Sequence, residues 1–511
     1  MAYSSFKAWF ETVSNRWGGR NALTFVRNGR METRLTYFEL YREVERFTRL
    51  LSGYGLDKGD RVVLLLDKSV IAVVAHLSIL NRGLVSVPLN PGFTKRELVY
   101  LIGDADPGVI VTGSENRDRI RALTPGIPLL ITPTEPYTLE QAAFRSDDAP
   151  PPDVEISSGD PALMIYTSGT TGKPKGALLT HGNLVRDAEN IIRVWQMTHL
   201  DLLCHALPLF HIHGLCFALH TALLCGSHTR LLDRFEPDAV IDNLSRNRDG
   251  VACTVFMAVP AMYTRMMDRM GGRKFDFGHL RLLASGSAPL PEKSFQRIKE
   301  TFGMEPVERE GMSETGMNFS NPLNGIRKPG SIGLPLPGVS VRVVDPKSGV
   351  DLPSGQVGEI WLKSGAITPG YWRKPEETRV AFQDGWFKTG DLGKVDPDGY
   401  YFLTDRIKHI IITGGENVSA KEVESVIDTV EGVVESVVVG VADERWGERV
   451  VAAVKIKPES GLKAPDIQKA CRESLHAWKC PKEILFINKI PRNTMGKVLK
   501  NVIKKMVSAD R

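Results

Sequence analysis

The chain has 511 residues but only six cysteines, at positions 204, 216, 225, 253, 471 and 480, and none forms a Cys-x-x-Cys pair. Thiols scattered through apolar stretches argue against a disulfide framework or a zinc site. They predict reduced, buried cysteines in a cytoplasmic protein. No apolar run approaches the ~20 residues that cross a bilayer. The longest, residues 70–80, is interrupted by His76 and Ser78. The first seventeen residues lack a basic start followed by an apolar core, so no secretory leader is expected. Dense Lys/Arg tracts are missing, and 65 basic residues against 60 acidic ones give a net charge of only +5. That balance does not point to nucleic acid. Internal repeats and low-complexity tracts are also lacking.

What is present is a long chain of ordinary globular composition, 42% hydrophobic, which predicts two or more domains. Thr36-Tyr-Phe-Glu39 reads as a capping box, followed by Leu40, Val44, Phe47, Leu50 and Leu51 at helical spacing and a stop at Gly53. Buried strands are expected over 61–66, 84–88 and 108–112, with a helix over 69–81. Further strands are expected over 202–208, 229–232, 253–257 and 280–284. This alternation predicts an α/β domain of parallel sheet wrapped by helices. Near residue 330 Pro and Gly become frequent and strands shorten, over 339–344, 358–363 and 400–403. That texture suggests a small barrel-like subdomain. Segment 145–160 reads as a surface linker. After 405 an α+β unit of roughly a hundred residues begins, large enough to fold alone. Its expected elements are helices over 421–428 and 464–475 and strands over 435–441 and 450–456.

One loop stands out: Tyr166-Thr-Ser-Gly-Thr-Thr-Gly-Lys-Pro-Lys-Gly176. It follows an apolar strand, Ala162-Leu-Met-Ile165. Glycines let backbone N–H groups approach an anion, hydroxyls donate to phosphate oxygens, and Lys173 and Lys175 add charge. A polyphosphate such as ATP is the inference, although the same residue types also make ordinary surface loops. The spacing is not that of the Walker A loop: Gly169 and Gly172 are too close, and Pro174 follows Lys173.

Other stretches carry chemistry less plainly. Ala284-Ser-Gly-Ser-Ala-Pro289 puts small residues at a strand end, where a flat base could lie. Glu310-Gly-Met-Ser-Glu-Thr315 reads as a loop after strand-like residues 306–309 and sets a carboxylate beside a hydroxyl, which suits Mg²⁺ held together with phosphate oxygens. Lys388-Thr-Gly-Asp-Leu392 and Asp405-Arg-Ile-Lys-His409 offer a carboxylate for sugar hydroxyls and a nearby guanidinium. Thr413-Gly-Gly-Glu416 is a turn after a strand, and Pro491-Arg-Asn-Thr-Met-Gly-Lys497 places a lysine near the C-terminus.

In this order these motifs resemble the adenylate-forming superfamily of acyl-CoA synthetases, peptide-synthetase adenylation domains and luciferases. The resemblance covers essentially the whole chain. It implies an N-terminal AMP-binding domain over 1–405, a hinge at 406–408 and a mobile C-terminal domain over 409–511. It implies that Thr167, Ser168, Gly169, Thr170, Thr171, Gly172 and Lys175 hold ATP phosphates. Gly286, Ser287, Ala288, Glu310, Gly311, Met312 and Ser313 would border the nucleotide, with Asp391 and Arg406 on its ribose. Glu314 and Thr170 would bind Mg²⁺, and Lys497 would bridge the attacking carboxylate and the α-phosphate. Lys408 falls on the hinge. Gly415 would line the CoA tunnel, with Trp446, Trp478 and Lys479 as further CoA candidates.

Glu310 departs from the family pattern, which carries an aromatic that stacks on adenine.

The acid is the least legible part. His211 falls at the acyl pocket by resemblance, although either His211 or His213 could be a satisfied structural histidine. The stretches 317–322 and 326–333 look most like malonyl-CoA synthetases, where an arginine pairs with the distal carboxylate. Arg327 occupies that place. The expected reaction is carboxylate, ATP and CoA to acyl-CoA, AMP and pyrophosphate, with malonate or methylmalonate as the acid. A short- or medium-chain or aromatic monocarboxylate is the alternative. A non-CoA adenylating enzyme and an inactive nucleotide-binding module are alternatives of other classes. The expected partners are ATP, CoA and a small carboxylic acid, and the chain is expected to act as a monomer or homodimer.

Overall fold

A computed structural model describes residues 3–132, 153–167, 173–245, 253–414, 416–492 and 498–509. Tertiary contacts divide the chain into two compact units, Met1–Ser340 with Lys363–Phe387, and Val341–Leu362 with Lys388–Arg511.

The first unit is built on two sheets. A seven-stranded sheet runs Gly370–Tyr371, Lys175–Thr180, Pro161–Thr167, Val85–Pro88, Arg61–Leu65, Val109–Gly113 and Leu129–Thr132. Its central strands are parallel, and the edge at Pro161–Thr167 turns antiparallel. The glycine loop therefore joins two antiparallel strands, closed by the pair Thr167 and Lys175. The second sheet has nine strands, parallel through Leu282–Ser285 and Val307–Met312 and antiparallel at both edges.

Local signals account for the helices. Thr36 and Glu39 form the expected capping box on Tyr37–Ser52, and Thr94 with Glu97 does the same for Lys95–Ala105. Ser69 caps Val70–Asn81, a helix apolar on every side and buried along nearly its whole length. The six cysteines are free thiols, five of them buried and Cys225 half-buried. No described helix is long and apolar enough to cross a membrane.

Two stretches differ from the sequence expectation. Glu310 lies within the strand Val307–Met312, not on a loop after it, and residues 313–315 make the tight turn to Gly316–Ser320. Residues beyond Leu202–His205 do not continue as strand. They lead into a π-helix, His213–His220, whose residues are all buried. Gly214 is required there, because a Cβ would lie 2.1 Å from the Pro208 carbonyl oxygen. His205 Nε2 donates to the Gly214 carbonyl at 2.8 Å, tying the strand end to the wide turn.

In the second unit the strands Gly358–Lys363, Trp386–Val395 and Tyr401–Arg406 form one sheet. The C-terminal sheet orders Glu416–Ser419, Ile410–Thr413, Gly447–Ile456 and Val433–Asp443, with Glu483–Phe486 parallel to Gly447–Ile456. Both faces are packed. Val423, Val438, Val450 and Ile467 share one core, and Val437, Val439, Val451 and Ile503 another.

Candidate active site

The turn between Val307–Met312 and Gly316–Ser320 delivers Glu314 to the end of the Pro161–Thr167 strand. Glu314 is buried, and its Oε1 accepts from Thr167 Oγ1 at 3.1 Å and from Tyr371 OH at 3.2 Å. Its carbonyl accepts from Thr368 N–H at 2.7 Å. Hydroxyl donors favour the ionised carboxylate. Lys175 Nζ lies 5.2 Å from the Tyr371 ring centroid, and Lys173 Nζ is 5.6 Å from that of Tyr100. The structure thus brings Thr167, Lys175 and Glu314 together around Tyr371. Ser168, Gly169, Thr170, Thr171 and Gly172 lie outside the described residues.

A second group surrounds Gly286. Ser287 adopts a left-handed φ of 67°, unusual for a residue with a Cβ, and its Oγ sits 3.1 Å from His213 Nδ1. Gly286 is buried, and a Cβ there would lie 2.7 Å from Arg309 Cζ. Arg309 is 3% exposed, and none of its three guanidinium nitrogens has a hydrogen-bond partner among the described residues. Its guanidinium lies over the Phe217 ring at 4.9 Å. Burial lowers its pKa to about 10, with Glu310, Asp187 and Tyr263 acting the other way. Asp187 is pushed up to about 7 by burial, while its bond from Met317 N–H and the Arg309 charge oppose that shift.

The histidines are neutral. Burial brings His211 down to about 4, and burial and then the Arg309 charge hold His213 well below its ordinary value. Nε2 of each is buried without a partner. The π-helix directs His213 to Ser287 and Phe217 to Arg309, so His213, more than His211, joins the Gly286 group. Glu310 is half-buried and accepts from Asn318 Nδ2 at 3.0 Å. Gly311 packs where a Cβ would meet Phe217 Cζ at 2.9 Å. Ala288 and Met312 are half-buried beside these groups in sequence, and Ser313 begins the turn.

Arg327 has a different task from the one expected. Its guanidinium donates to the carbonyls of Pro322 at 3.0 Å, Leu323 at 2.6 Å and Glu305. Those bonds staple the 322–327 loop and occupy the fork that a distal carboxylate would need.

In the second unit Asp391 and Arg406 face each other across paired strands. Nε of Arg406 is 2.5 Å from Asp391 Oδ1, and Nη2 is 3.2 Å from Oδ2. Gly390, with a φ of 70° inside the strand Trp386–Val395, immediately precedes Asp391. Trp446 is 37% exposed and lies against Gly414, with Lys482 and Arg445 at 5.5 and 5.1 Å from its ring. Trp478 instead packs on the C-terminal core beside His476, and Lys479 pairs with Glu422 at 2.7 Å. A 3₁₀ turn, Ile407–His409, spans Lys408. The Lys408 side chain, Gly415 and Lys497 lie outside what the structure describes.

Motif reading missed Tyr371, Arg309 and Asp187. Arg309 had a legible signal, since it sits between two glutamates inside a strand that carries the Glu314 motif. Tyr371 and Asp187 are remote in sequence and had none.

The AMP-binding enzyme family model matches residues 10–372, and the model of the AMP-binding enzyme C-terminal domain matches 422–497. The chain is 35% identical to the mitochondrial malonate–CoA ligase of Mus musculus, over 92% of this chain and 87% of that protein. It is 34% identical to a feruloyl-CoA synthase of an Amycolatopsis species, over 94% and 95%. It is also 34% identical to the sulfoacetate–CoA ligase of Cupriavidus necator, over 91% of each. The ATP-bound crystal structure of MatB from Rhodopseudomonas palustris superposes with a TM-score of 0.91 at 38% identity, covering 98% of this chain and 99% of that one. The chain therefore belongs to the AMP-binding enzyme family, as an AMP-forming acyl-CoA synthetase of the adenylate-forming superfamily.

Proposed function

We propose that the acid this enzyme activates is a short dicarboxylate, malonate or methylmalonate. The observation that carries the reading is the buried Arg309 guanidinium without a hydrogen-bond partner. A buried guanidinium without hydrogen bonds costs roughly several kcal/mol, which Asp187, Glu310 and the Phe217 ring offset in part and an anionic group on the ligand would offset further. With its pKa lowered only to about 10, the guanidinium is still charged at neutral pH, and its planar fork suits a carboxylate. Malonate and sulfoacetate, the acids in the names of two relatives, each carry such a second anion. The distal-carboxylate role thus moves from Arg327 to Arg309. The neutral His213 and Ser287 supply polar groups beside it.

In the first half-reaction the other carboxylate attacks the α-phosphorus of ATP, the bond to the bridging oxygen breaks, and pyrophosphate leaves. In the second the CoA sulfur attacks the acyl carbon and AMP leaves. Loop residues 167–175 bind the departing phosphates, Asp391 and Arg406 the ribose, and Gly286 to Ala288 and Glu310 to Ser313 border the nucleotide. Lys497 stabilises charge in the first step, and Gly415 with Trp446 receives CoA in the second. Domains over 1–405 and 409–511, hinged at 406–408, would exchange these groups.

Mg²⁺ fits the donor set. Glu314 supplies a hard carboxylate oxygen, while no group of three or more metal-binding side chains occurs among the described residues, so phosphate and water would complete the shell. When bound, the ion neutralises polyphosphate charge.

Pyrophosphate release over malonate, methylmalonate, sulfoacetate, butyrate and ferulate tests the reading. Preference for malonate or methylmalonate is expected. Equal rates with butyrate or ferulate would replace the dicarboxylate reading with a monocarboxylate one.

A further inference from the structure

We infer that Tyr371 is a positioning residue that couples the phosphate-loop lysine, Lys175, to the metal-facing carboxylate, Glu314. The inference rests on the proposed magnesium role of Glu314.

Tyr371 belongs to a two-residue edge strand, Gly370–Tyr371, with Tyr371 opposite Ala177, two residues along from Lys175. Its backbone is pinned: its N–H donates to Thr378 Oγ1 at 3.0 Å, and the next residue, Trp372, donates to the Gly176 carbonyl at 2.8 Å. From that fixed root the side chain serves two charges. Its hydroxyl donates to Glu314 Oε1 at 3.2 Å, and its ring lies 5.2 Å from Lys175 Nζ. Thr167, paired with Lys175 across the two strands, donates to the same oxygen. Both donors converge on Oε1, and Oε2 carries no hydrogen bond to a described residue.

The physical consequence is division of labour within one carboxylate. One oxygen is held by two hydroxyls of the protein, which fixes the rotamer, and the other is left without a hydrogen bond to a described residue. The negative ring face meanwhile limits the freedom of a long cationic side chain. Burial, and then the Glu314 charge, raise the Tyr371 pKa strongly, so the hydroxyl stays a donor throughout the neutral range. Sequence spacing hides this link: Tyr371 is 57 residues from Glu314.

Equilibrium binding of ATP by titration calorimetry, with and without Mg²⁺, separates the two contacts. For Tyr371→Phe the affinity gained on adding Mg²⁺ should fall about fivefold or more, with magnesium-free ATP binding unchanged. Tyr371→Leu should also weaken magnesium-free binding, by about threefold, because Lys175 loses its ring. A wild-type magnesium gain in Tyr371→Phe overturns the inference. So does an equal loss in both titrations accompanied by a lower melting temperature, which marks a purely structural role. Glu314→Gln distinguishes the underlying reading. If it loses the magnesium gain while Tyr371→Phe keeps it, only the tyrosine role fails. If Glu314→Gln keeps the gain, the magnesium role of Glu314 fails and the inference with it.

Discussion

Gly286 and Arg309 are in such close contact that a Cβ on the glycine would lie 2.7 Å from both Cζ and the carbonyl oxygen of the arginine. No real side chain approaches backbone oxygen and guanidinium so closely, so the arginine holds its place only because residue 286 has no side chain. Gly286→Ala should therefore displace the guanidinium and lower kcat/KM for malonate by roughly 100-fold, as an ångström-scale misplacement does. Butyrate turnover should fall less. Steady-state pyrophosphate release with both acids checks the difference.

Arg309→Met should separate stability from function. Methionine fills similar space under Phe217 without an unpaired charge, so the variant should be more stable by about 1 kcal/mol or more. Malonate activation should fall at least ~10-fold. Thermal denaturation and acid-panel kinetics on the same preparation test both halves. A destabilised variant would show that the protein itself compensates the charge.

Stability should depend on pH through Asp187. Burial raises its folded pKa from the ordinary 3.8 to about 7, so the folded state binds a proton the unfolded state has released. Its contribution is fully present below about pH 4 and is lost as pH rises through about 7. The slope approaches about −1.4 kcal/mol per pH unit between those limits. Asp187→Asn keeps an acceptor for Met317 N–H and removes the titration. Its melting temperature should therefore decline less than that of the wild type between pH 5 and pH 7.

Lys497→Ala should abolish acyl-adenylate formation yet leave CoA transfer from supplied acyl-adenylate. Gly415→Leu should show the reverse. Equal loss of both half-reactions in either variant would remove that residue's separate role.

Some of this was readable along the chain. Thr36 and Glu39 announced a helix start because both partners of a capping box are local. The strands around 61–66, 84–88 and 108–112 were readable because parallel strands buried on both faces are short continuous apolar runs. The ends were less legible. Leu202–His205 stops short of Pro208 because a π-helix follows, and an all-apolar stretch such as Gly214 to Leu219 has no periodicity that distinguishes wide turns from ordinary ones. Glu310 looked like a loop residue but pairs with Phe319 in an antiparallel ladder, a register no short motif encodes.

By itself the sequence determined the class of chemistry. The motifs at 166–176, 310–315, 388–392 and 491–497 mark the family through residue types whose charges and hydroxyls are recognisable wherever the chain folds. Tertiary structure decided which arginine is tied to backbone carbonyls. Arg327 and Arg309 are chemically identical in a sequence, yet each guanidinium nitrogen of one donates to a backbone carbonyl and the other is buried with no hydrogen bond to a described residue. A side chain's availability depends on which donors and acceptors the fold brings to it, and those arrive from strands and turns far away along the chain.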